Sequence, residues 1–255
     1  MSPKDIKKLA DKKHRTETGL FMVEGEKNIV ELLNSDFTIH TILGTPRFIE
    51  SIFAHVQKYD ERMQARIELT EMKAAEIERI GTFVTNACGI AVAEQKKEAG
   101  ADMVYAEAEK NIVLILDDVR DPGNLGTIIR IADWYGVTHI VASITTTDCY
   151  SPKVISATMG SFTRIKVLYT ELPEFLEKAH ELKIPVIAAD MEGKNVHEGG
   201  LPQTGFLLMG SESHGVSKES VKHATDRVTI PRFGNAESLN VSIATGILLD
   251  NIRRK

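Results

Sequence analysis

Three segments of this chain each combine an apolar run with a polar loop and the start of a helix. In chain order, their residues of chemical interest are Asn124 and Arg130, then Gly210, Glu212 and Gly215, and then Ile230, Ser238, Leu239 and Asn240. A helix start presents unpaired backbone N–H groups, and short polar side chains beside it add fixed hydrogen bonds. Each segment therefore predicts a loop that binds a polar ligand.

The elements that position these loops are predicted from four nearly continuous apolar runs, at residues 112–116, 140–142, 184–189 and 206–209. Such runs are typical of parallel strands covered on both faces, and the helical patterns between them suit right-handed crossovers. Ligands of open α/β sheets bind outside the carboxyl ends of the strands, so we expect the three loops to converge on one site.

Each candidate residue also has a purely structural interpretation. Arg130 is consistent with a surface charge on a packed stem, and Glu212 with an exposed loop acid. The other candidates are consistent with helix caps at Asn124, Ser238 and Asn240, and with tight turns at Gly210 and Gly215. His214 and His223 have no carboxylate or cysteine partner at a suggestive spacing, so we expect neither to take part.

The three segments together resemble a known family. The residues that carry the resemblance are Asn124-x-Gly126-x-x-x-Arg130, Gly210-x-Glu212-x-x-Gly215, and Ile230-Pro231 followed by Ser238-Leu239-Asn240-Val241-Ser242. In order and spacing they are similar to the three motifs of the SpoU/TrmH family, over roughly residues 111–252. Its members are RNA 2′-O-ribose methyltransferases of the SPOUT class, whose chain forms a trefoil knot. Arg232 is a departure, because many relatives have Met at that position.

The resemblance implies S-adenosylmethionine as the cofactor, no metal, and a role for each site residue. Arg130 matches the family's catalytic arginine, and the other catalytic positions are Asn124, Glu212, Ser238 and Asn240. Backbone groups of Gly210, Ile230 and Leu239 are expected to hold the cofactor. Because a guanidinium keeps its proton at neutral pH, we expect Arg130 to stabilise the developing ribose alkoxide rather than to act as a base.

The N-terminal residues 1–95 alternate helical and strand patterns and predict a small α/β domain. Residues 12–15 and 20–26 resemble the ribosomal-protein-like substrate-binding domain of many SpoU/TrmH members, which implies that Lys12, Lys13 and Arg15 contact RNA. Without that resemblance, a solvated helix face is an equally good interpretation. Residues 96–110 are charged and Ala-rich and are expected to form a linker, or else a polar surface helix, before a domain over 111–255.

Composition limits the classes of protein that remain. With 255 residues, 42% hydrophobic and 26% charged, the chain is typical of a globular protein of one large or two ordinary domains. It lacks an apolar run of roughly 20 residues and a signal peptide, so a cytoplasmic location is the default expectation. Cys88 and Cys149 lie far apart and predict neither zinc binding nor a disulfide framework. The net charge of −5 argues against a protein coated in nucleic acid.

We therefore expect an α/β protein with a small N-terminal RNA-binding domain and a C-terminal knotted SPOUT domain built on a parallel sheet. The favoured function is 2′-O-methylation of ribosomal RNA; the alternatives are a transfer RNA methyltransferase and a non-catalytic RNA-binding ribosome-assembly protein. A Rossmann-type enzyme is the weaker hypothesis, because Gly123 and Gly126 do not form GxGxxG and no GxxxxGK[ST] occurs. The last helix has apolar residues on two faces, such as Val241 and Ile243, which predicts a homodimer.

Overall fold

The computed structural model of the protein describes residues 1–83 and 88–254. The helices are, in chain order, α1 (Pro3–Lys8), α2 (Lys12–Thr18), α3 (Glu26–Leu33), α4 (Pro46–Met63), α5 (Ala74–Ile80), α6 (Ala101–Ala108), α7 (Pro122–Trp134), α8 (Pro152–Thr158), α9 (Leu172–Glu181), α10 (Lys218–Val221) and α11 (Val241–Arg253). The strands are β1 (Leu20–Glu24), β2 (Ile39–Gly44), β3 (Glu68–Glu71), β4 (Gly89–Glu94), β5 (Ile112–Leu116), β6 (His139–Ser143), β7 (Lys166–Thr170), β8 (Val186–Asn195), β9 (Gly205–Met209) and β10 (Asp226–Thr229). Within those described ranges, every helix is too short or too polar to cross a membrane.

The chain divides into two units. The first unit comprises Met1–Lys97 together with Asp148–Arg164, and the second comprises Glu98–Thr147 together with Ile165–Lys255. The first unit therefore takes its residues from two separate stretches of the sequence.

The first unit is built on a four-stranded sheet of order β1-β4-β2-β3. Strand β4 is antiparallel to both neighbours, and β3 is a parallel edge strand beside β2. Tyr59 ties helix α4 to the sheet, because its buried hydroxyl accepts a hydrogen bond from the Ile39 N–H at 2.8 Å and donates one to the Phe37 carbonyl at 2.9 Å. The sequence patterns predict a single charged helix over residues 71–80, but the structure ends β3 at Glu71 and begins α5 at Ala74.

The second unit is built on a six-stranded sheet of order β10-β8-β9-β5-β6-β7, in which every pairing is parallel. All residues of β5, β6 and β9 are buried, which confirms the parallel sheet predicted from the apolar runs. Strands β5 and β9 are neighbours near the middle of this sheet, with Leu116 opposite Met209. The loops that follow these two strands therefore begin side by side.

The segment 96–110 is folded rather than only a linker, because helix α6 lies inside it. Val104, Tyr105 and Ala108 fall on one face of α6 and are buried in the core of the second unit. The Tyr105 ring stacks on Phe175, with ring centroids 4.5 Å apart, and its hydroxyl donates to the Phe175 carbonyl at 2.9 Å. The charged composition of the segment conceals this apolar face.

Candidate active site

The loops after β5 and β9 are joined by two hydrogen bonds of Asp117, one through its backbone and one through its side chain. The Asp117 N–H donates to the Met209 carbonyl at 2.9 Å, and the Asp117 carboxylate accepts from the Ser217 N–H at 3.0 Å. Asp117 therefore fixes both ends of the loop 210–217 relative to β5.

Asn124, Glu212 and Asn240 meet where the three predicted loops converge. The Asn240 Nδ2 donates to the Asn124 Oδ1 at 2.9 Å and lies 3.4 Å from the Glu212 Oε1. The Asn124 Nδ2 also donates to the Glu212 Oε1. These residues come from the start of α7, the loop after β9 and the start of α11, so the structure brings the three loops together as their placement after the strands predicts.

Helix capping explains why the side chains of Asn124 and Asn240 can form hydrogen bonds within the cluster. Asp121, and not Asn124, caps α7, because its side chain accepts a hydrogen bond from the Asn124 N–H at 2.8 Å. The side chain of Asn124 is thereby left to bond Glu212. Asn240 does cap α11: its Oδ1 accepts from the Ser242 N–H at 2.9 Å, while its Nδ2 points to the other two residues.

Ser238 and Arg130 are not part of this cluster. Both are exposed, and neither has a side-chain hydrogen bond to any residue that the structure describes. Arg130 follows Asn124 by six residues, which rotates it by roughly 240° around α7. It therefore lies on an exposed face of α7 with Trp134, away from Asn124.

Gly210 forms the base of the loop after β9. A Cβ at this position would lie 2.0 Å from the Gly215 carbonyl carbon and 2.1 Å from the Val216 nitrogen, so the turn is possible only with glycine. The turn itself is closed by a pair of backbone hydrogen bonds between Ser211 and Gly215, at 2.9 and 3.0 Å. Gly210 is buried, yet its backbone N–H and C=O have no partner among the described residues.

Among the described residues, the backbone groups of Leu239 also have no partner, and its side chain is about half exposed. Ile230 uses only its backbone carbonyl there, in a long 3.5 Å contact with the Thr229 hydroxyl. Since buried backbone groups are nearly always hydrogen-bonded in folded proteins, the groups at Gly210 are suited to a bound ligand. The backbone groups of Gly210, Ile230 and Leu239 therefore fit a polar cofactor.

An open cleft of about 380 Å³ lies beside the cluster. Its lining residues are Asp118, Val119, Arg120, Asp121, Asn124, Ser211, Glu212, Ser213, His214 and Val241. Arg130 is not among them. The cleft therefore holds three acids, Asp118, Asp121 and Glu212, together with one basic residue, Arg120, and the imidazole of His214.

Asp118 has a backbone φ of 62°, which is uncommon for a residue other than glycine. Its N–H donates to the Ser143 hydroxyl at 2.9 Å, and its carboxylate accepts from the Arg120 Nε at 2.8 Å. Burial of the carboxylate opposes ionisation, but hydrogen bonds from Arg120 and Thr145 outweigh it, so the pKa of Asp118 lies below its ordinary value. Asp118 is consequently an anion at neutral pH.

His214 lies beside Asp118 in the cleft, although no carboxylate stands at a suggestive spacing from it in the sequence. Its Nε2 lies 3.7 Å from the Asp118 Oδ2, and its Nδ1 lies 3.0 Å from the Ser211 hydroxyl and 2.9 Å from the Ser213 hydroxyl. The sequence conceals this pair because Asp118 and His214 follow different strands that are adjacent only in the sheet. The signal that was present is the acid pair that directly follows the apolar run 112–116.

The basic residues expected to contact RNA fall into two groups. Lys12 and Lys13 are exposed on helix α2 of the first unit. Arg15 is only 2% exposed, and this corrects its assignment as an RNA contact. Its guanidinium is bonded to the Asp148 carboxylate at 2.5 and 3.0 Å and to the Leu9 and Ala10 carbonyls at 2.8 and 2.9 Å. A positive charge in a sequence does not reveal that its side chain is buried.

Replacement of Asp148 by Ala is expected to lower the free energy of unfolding by about 3–5 kcal/mol, because it leaves the buried Arg15 charge without its carboxylate. Glu17→Ala is the matched control: its carboxylate is exposed and 3.9 Å from Lys13, so the expected loss is below about 1 kcal/mol. Urea unfolding measures both. An Asp148 variant as stable as the Glu17 variant would contradict a structural role for Arg15.

Comparison with known proteins gives two family matches along the chain. Residues 111–250 match the model of the SpoU rRNA Methylase family, and residues 3–86 match that of the MRM3-like substrate binding domain. The chain is 31% identical over 253 residues to the Bacillus subtilis 23S rRNA (guanosine(2553)-2′-O)-methyltransferase RlmP, covering 98% of this chain and 95% of that protein.

Two solved structures are similar over almost the whole chain. One is an AdoMet-bound rRNA methyltransferase from Sinorhizobium meliloti, with a TM-score of 0.85 and 32% identity, covering 98% of this chain and 93% of that one. The other is a putative RNA methyltransferase of the TrmH family from Porphyromonas gingivalis, with a TM-score of 0.82 and 32% identity, covering 98% of this chain and 96% of that one.

Proposed function

Because the chain belongs to the SpoU rRNA methylase family, we propose that it transfers a methyl group from S-adenosylmethionine to a ribose 2′-oxygen of ribosomal RNA. The observation that carries the proposal is the junction of Asn124, Glu212 and Asn240, in which all three family motifs contribute one side chain to a single cluster. Ribosomal RNA is favoured over transfer RNA because similarity to a 23S rRNA methyltransferase extends over 98% of this chain.

The cofactor is assigned to the loops after β9 and β10. The similar Sinorhizobium meliloti protein is AdoMet-bound, and the unpaired backbone of buried Gly210 fits a polar ligand held by main-chain hydrogen bonds. Ile230 and Leu239 would contribute their backbone groups from the following loop. When bound, S-adenosylmethionine supplies a methyl group activated by its positive sulfur.

The protein's part in the reaction is alignment and charge stabilisation. Glu212 and the two asparagines would position the ribose through hydrogen bonds, and alignment of reactants supplies roughly 7–11 kcal/mol in favourable cases. Arg130 would stabilise the negative charge that develops on the 2′-oxygen. Ser238 is two residues before Asn240, and its exposed hydroxyl is available to the substrate.

The exposed position of Arg130 supports a homodimer in which each active site is completed by the Arg130 of a second copy. Helices α7 and α11 pack together, with a Tyr135 to Asp250 hydrogen bond of 3.5 Å and an Arg253 to Tyr135 carbonyl bond of 3.1 Å. Trp134 on α7 is 84% exposed and Ile243 on α11 is 54% exposed. Exposed apolar side chains of this size are typical of an interface. Light scattering that gives 28.2 kDa, the mass of one chain, would rule the dimer out.

Two further features are part of this proposal. A trefoil knot in the second unit is supported by family membership. It would be an exception to the general absence of knots. A cytoplasmic location is supported by the ribosomal RNA named for the bacterial relative.

The function is tested by methyl transfer from labelled S-adenosylmethionine to total rRNA and, separately, to total tRNA. We expect transfer to rRNA, at one site that 2′-O-methyl mapping locates by its absence in cells lacking the protein. A non-catalytic ribosome-assembly protein would bind RNA without binding the cofactor, so calorimetry that detects no cofactor binding would overturn the proposal. Methyl transfer to tRNA alone would change the proposed substrate from rRNA to tRNA and leave the proposed reaction unchanged.

The first unit is proposed to select the RNA through the exposed lysines of α2. Lys12→Glu with Lys13→Glu is expected to weaken RNA binding. The slope of the logarithm of the binding constant against the logarithm of the salt concentration should become shallower, by about 0.7–0.9 for each phosphate that the lysines no longer neutralise. Affinity for the cofactor should not change. The matched control, Arg47→Glu with Lys58→Glu, makes the same charge change on exposed positions of α4. Equal RNA affinities for the two double variants, measured at low and high salt, would contradict the assignment.

A further inference from the structure

Methylation of a ribose hydroxyl releases a proton, and the proposed site needs a group to accept it. Arg130 cannot do so at neutral pH, because an arginine guanidinium in a protein already carries its proton. The side chains of Asn124 and Asn240 do not titrate. The 380 Å³ cleft offers other groups that can accept a proton, among them the imidazole of His214.

We propose that His214, oriented by Asp118, accepts the proton that leaves the ribose 2′-hydroxyl, through the hydroxyl group of Ser213. The inference rests on the proposed function and adds the proton acceptor that the motifs leave unassigned. Asp118 is a positioning residue in this proposal, since it acts through His214.

The hydrogen bonds around His214 favour the required tautomer. The Asp118 Oδ2 lies 3.7 Å from Nε2 and attracts the imidazole proton to that nitrogen. Nδ1 is then an acceptor, and the Ser213 hydroxyl at 2.9 Å and the Ser211 hydroxyl at 3.0 Å are placed to donate to it. The backbone N–H of His214 donates to the Ser211 hydroxyl at 3.3 Å, which holds that hydroxyl in the same turn as the imidazole.

Four charged side chains line the cleft around His214. Asp118 Oδ2 lies 3.7 Å from its Nε2, Glu212 is two residues away in the same turn, and Asp121 also lines the cleft. Arg120 is the opposing cation, and it is bonded to Asp118 through Oδ1 at 2.8 Å rather than directed at the imidazole. The lowered pKa of Asp118 keeps that carboxylate charged while the imidazole takes up a proton.

The step balances without a further reactant. The ribose O–H bond breaks and its proton passes to the Ser213 oxygen, while the Ser213 proton passes to the His214 Nδ1. The 2′-oxygen forms a bond to the methyl carbon as the carbon–sulfur bond breaks, and that electron pair stays on sulfur. The imidazolium then loses a proton to water, which it can reach because its side chain is 51% exposed.

The test is the single-turnover rate of methyl transfer to rRNA as a function of pH. For the unaltered protein we expect the rate to rise with pH and level off as His214 loses its proton. His214→Gln keeps a polar side chain that cannot titrate, so it should lose about 10²-fold in rate together with that inflection. His223→Gln is the matched control in the same unit and should keep both. A His214→Gln protein with the normal rate, or with the same inflection, would overturn the proposal.

Two more variants separate proton transfer from a merely structural effect. Added imidazole should restore part of the rate of His214→Ala and have no effect on His223→Gln; the absence of rescue would count against proton transfer by His214. Asp118→Asn should move the inflection to lower pH, because the imidazolium loses its carboxylate; an unchanged inflection would overturn the role of Asp118.

Calorimetry should give equal cofactor affinities for the His214 variants and the unaltered protein. If the unaltered protein transfers no methyl group at all, the proposed function fails; if it does and His214→Gln matches it, only this inference fails.

Discussion

Arg130→Ala is expected to lower the single-turnover rate of methyl transfer to rRNA by about 10²–10³, the usual cost of removing one preorganised group that stabilises a developing oxyanion. Arg130 is exposed and has no bonded partner in the described part of the chain, so the free energy of unfolding should change by less than about 0.5 kcal/mol. Cofactor affinity, measured by calorimetry, should also be unchanged, since the interaction strengthens only as charge develops.

Lys110→Ala is the control for this variant, because it removes an exposed cation from the same unit, outside the cleft. We expect it to retain the normal rate. A near-normal rate for Arg130→Ala would show that Arg130 does not stabilise the transition state.

A mixture of Arg130→Ala and Glu212→Gln chains tests whether Arg130 acts on the site of a second copy. If it does, each mixed dimer has one site with both substitutions and one site with neither, so random pairing restores about a quarter of the normal activity. If Arg130 acts on its own chain, every site carries one substitution and the mixture stays as inactive as its components. Refolding the two chains together, and separately as the control, makes the comparison.

Gly210→Ala is expected to weaken cofactor binding by at least about 100-fold. The added Cβ would lie 2.0 Å from the Gly215 carbonyl carbon, so the turn that follows β9 must move. Such a shift misplaces the backbone groups of Gly210, and the loss of two hydrogen bonds at about 1.4 kcal/mol each gives that factor. Glu212 lies in the same turn, so the methyl-transfer rate should fall as well.

Calorimetry with S-adenosylmethionine measures this effect, and circular dichroism shows whether the variant is folded. Gly100→Ala is the control, because its Cβ would meet nothing within 4 Å and its φ of −67° suits any residue. A folded Gly210→Ala protein that binds the cofactor as tightly as Gly100→Ala would show that the loop after β9 does not hold it.

The strands that could be predicted from the sequence are those buried on both faces. Residues 112–116 and 206–209 form continuous apolar runs because β5 and β9 lie near the centre of the sheet. Strand β7 has partly exposed residues at the edge of the same sheet and shows no such run. Strand β8 continues to Asn195, well beyond the predicted 184–189. The sequence does not predict this second half of the strand, because it is mostly exposed and carries no apolar pattern.

The candidate site was predictable to the extent that it lies in short motifs. Asn124, Glu212 and Asn240 are predicted site residues because their three loops resemble the SpoU/TrmH motifs, and the folded chain brings them together. The pairing of Asp118 with His214 could not be predicted, because it depends on which strands are neighbours and not on spacing along the chain. Arg15 was misassigned for a related reason: its carboxylate partner, Asp148, is distant in sequence. The catalytic and cofactor roles themselves remain predictions that the variants above test.

The discontinuous make-up of the first unit limits how the protein can be divided. Phe162, from the second stretch of that unit, contacts the rings of Phe21 and Phe37 with centroids 6.0 and 5.9 Å apart, and Tyr150 lies 4.7 Å from Phe21. A fragment that stops at Lys97 would leave these aromatic side chains without their packing partners. The first unit therefore cannot be excised or exchanged by cutting the chain once, and chimaeras with another family member must carry residues 148–164 along with the N-terminal residues.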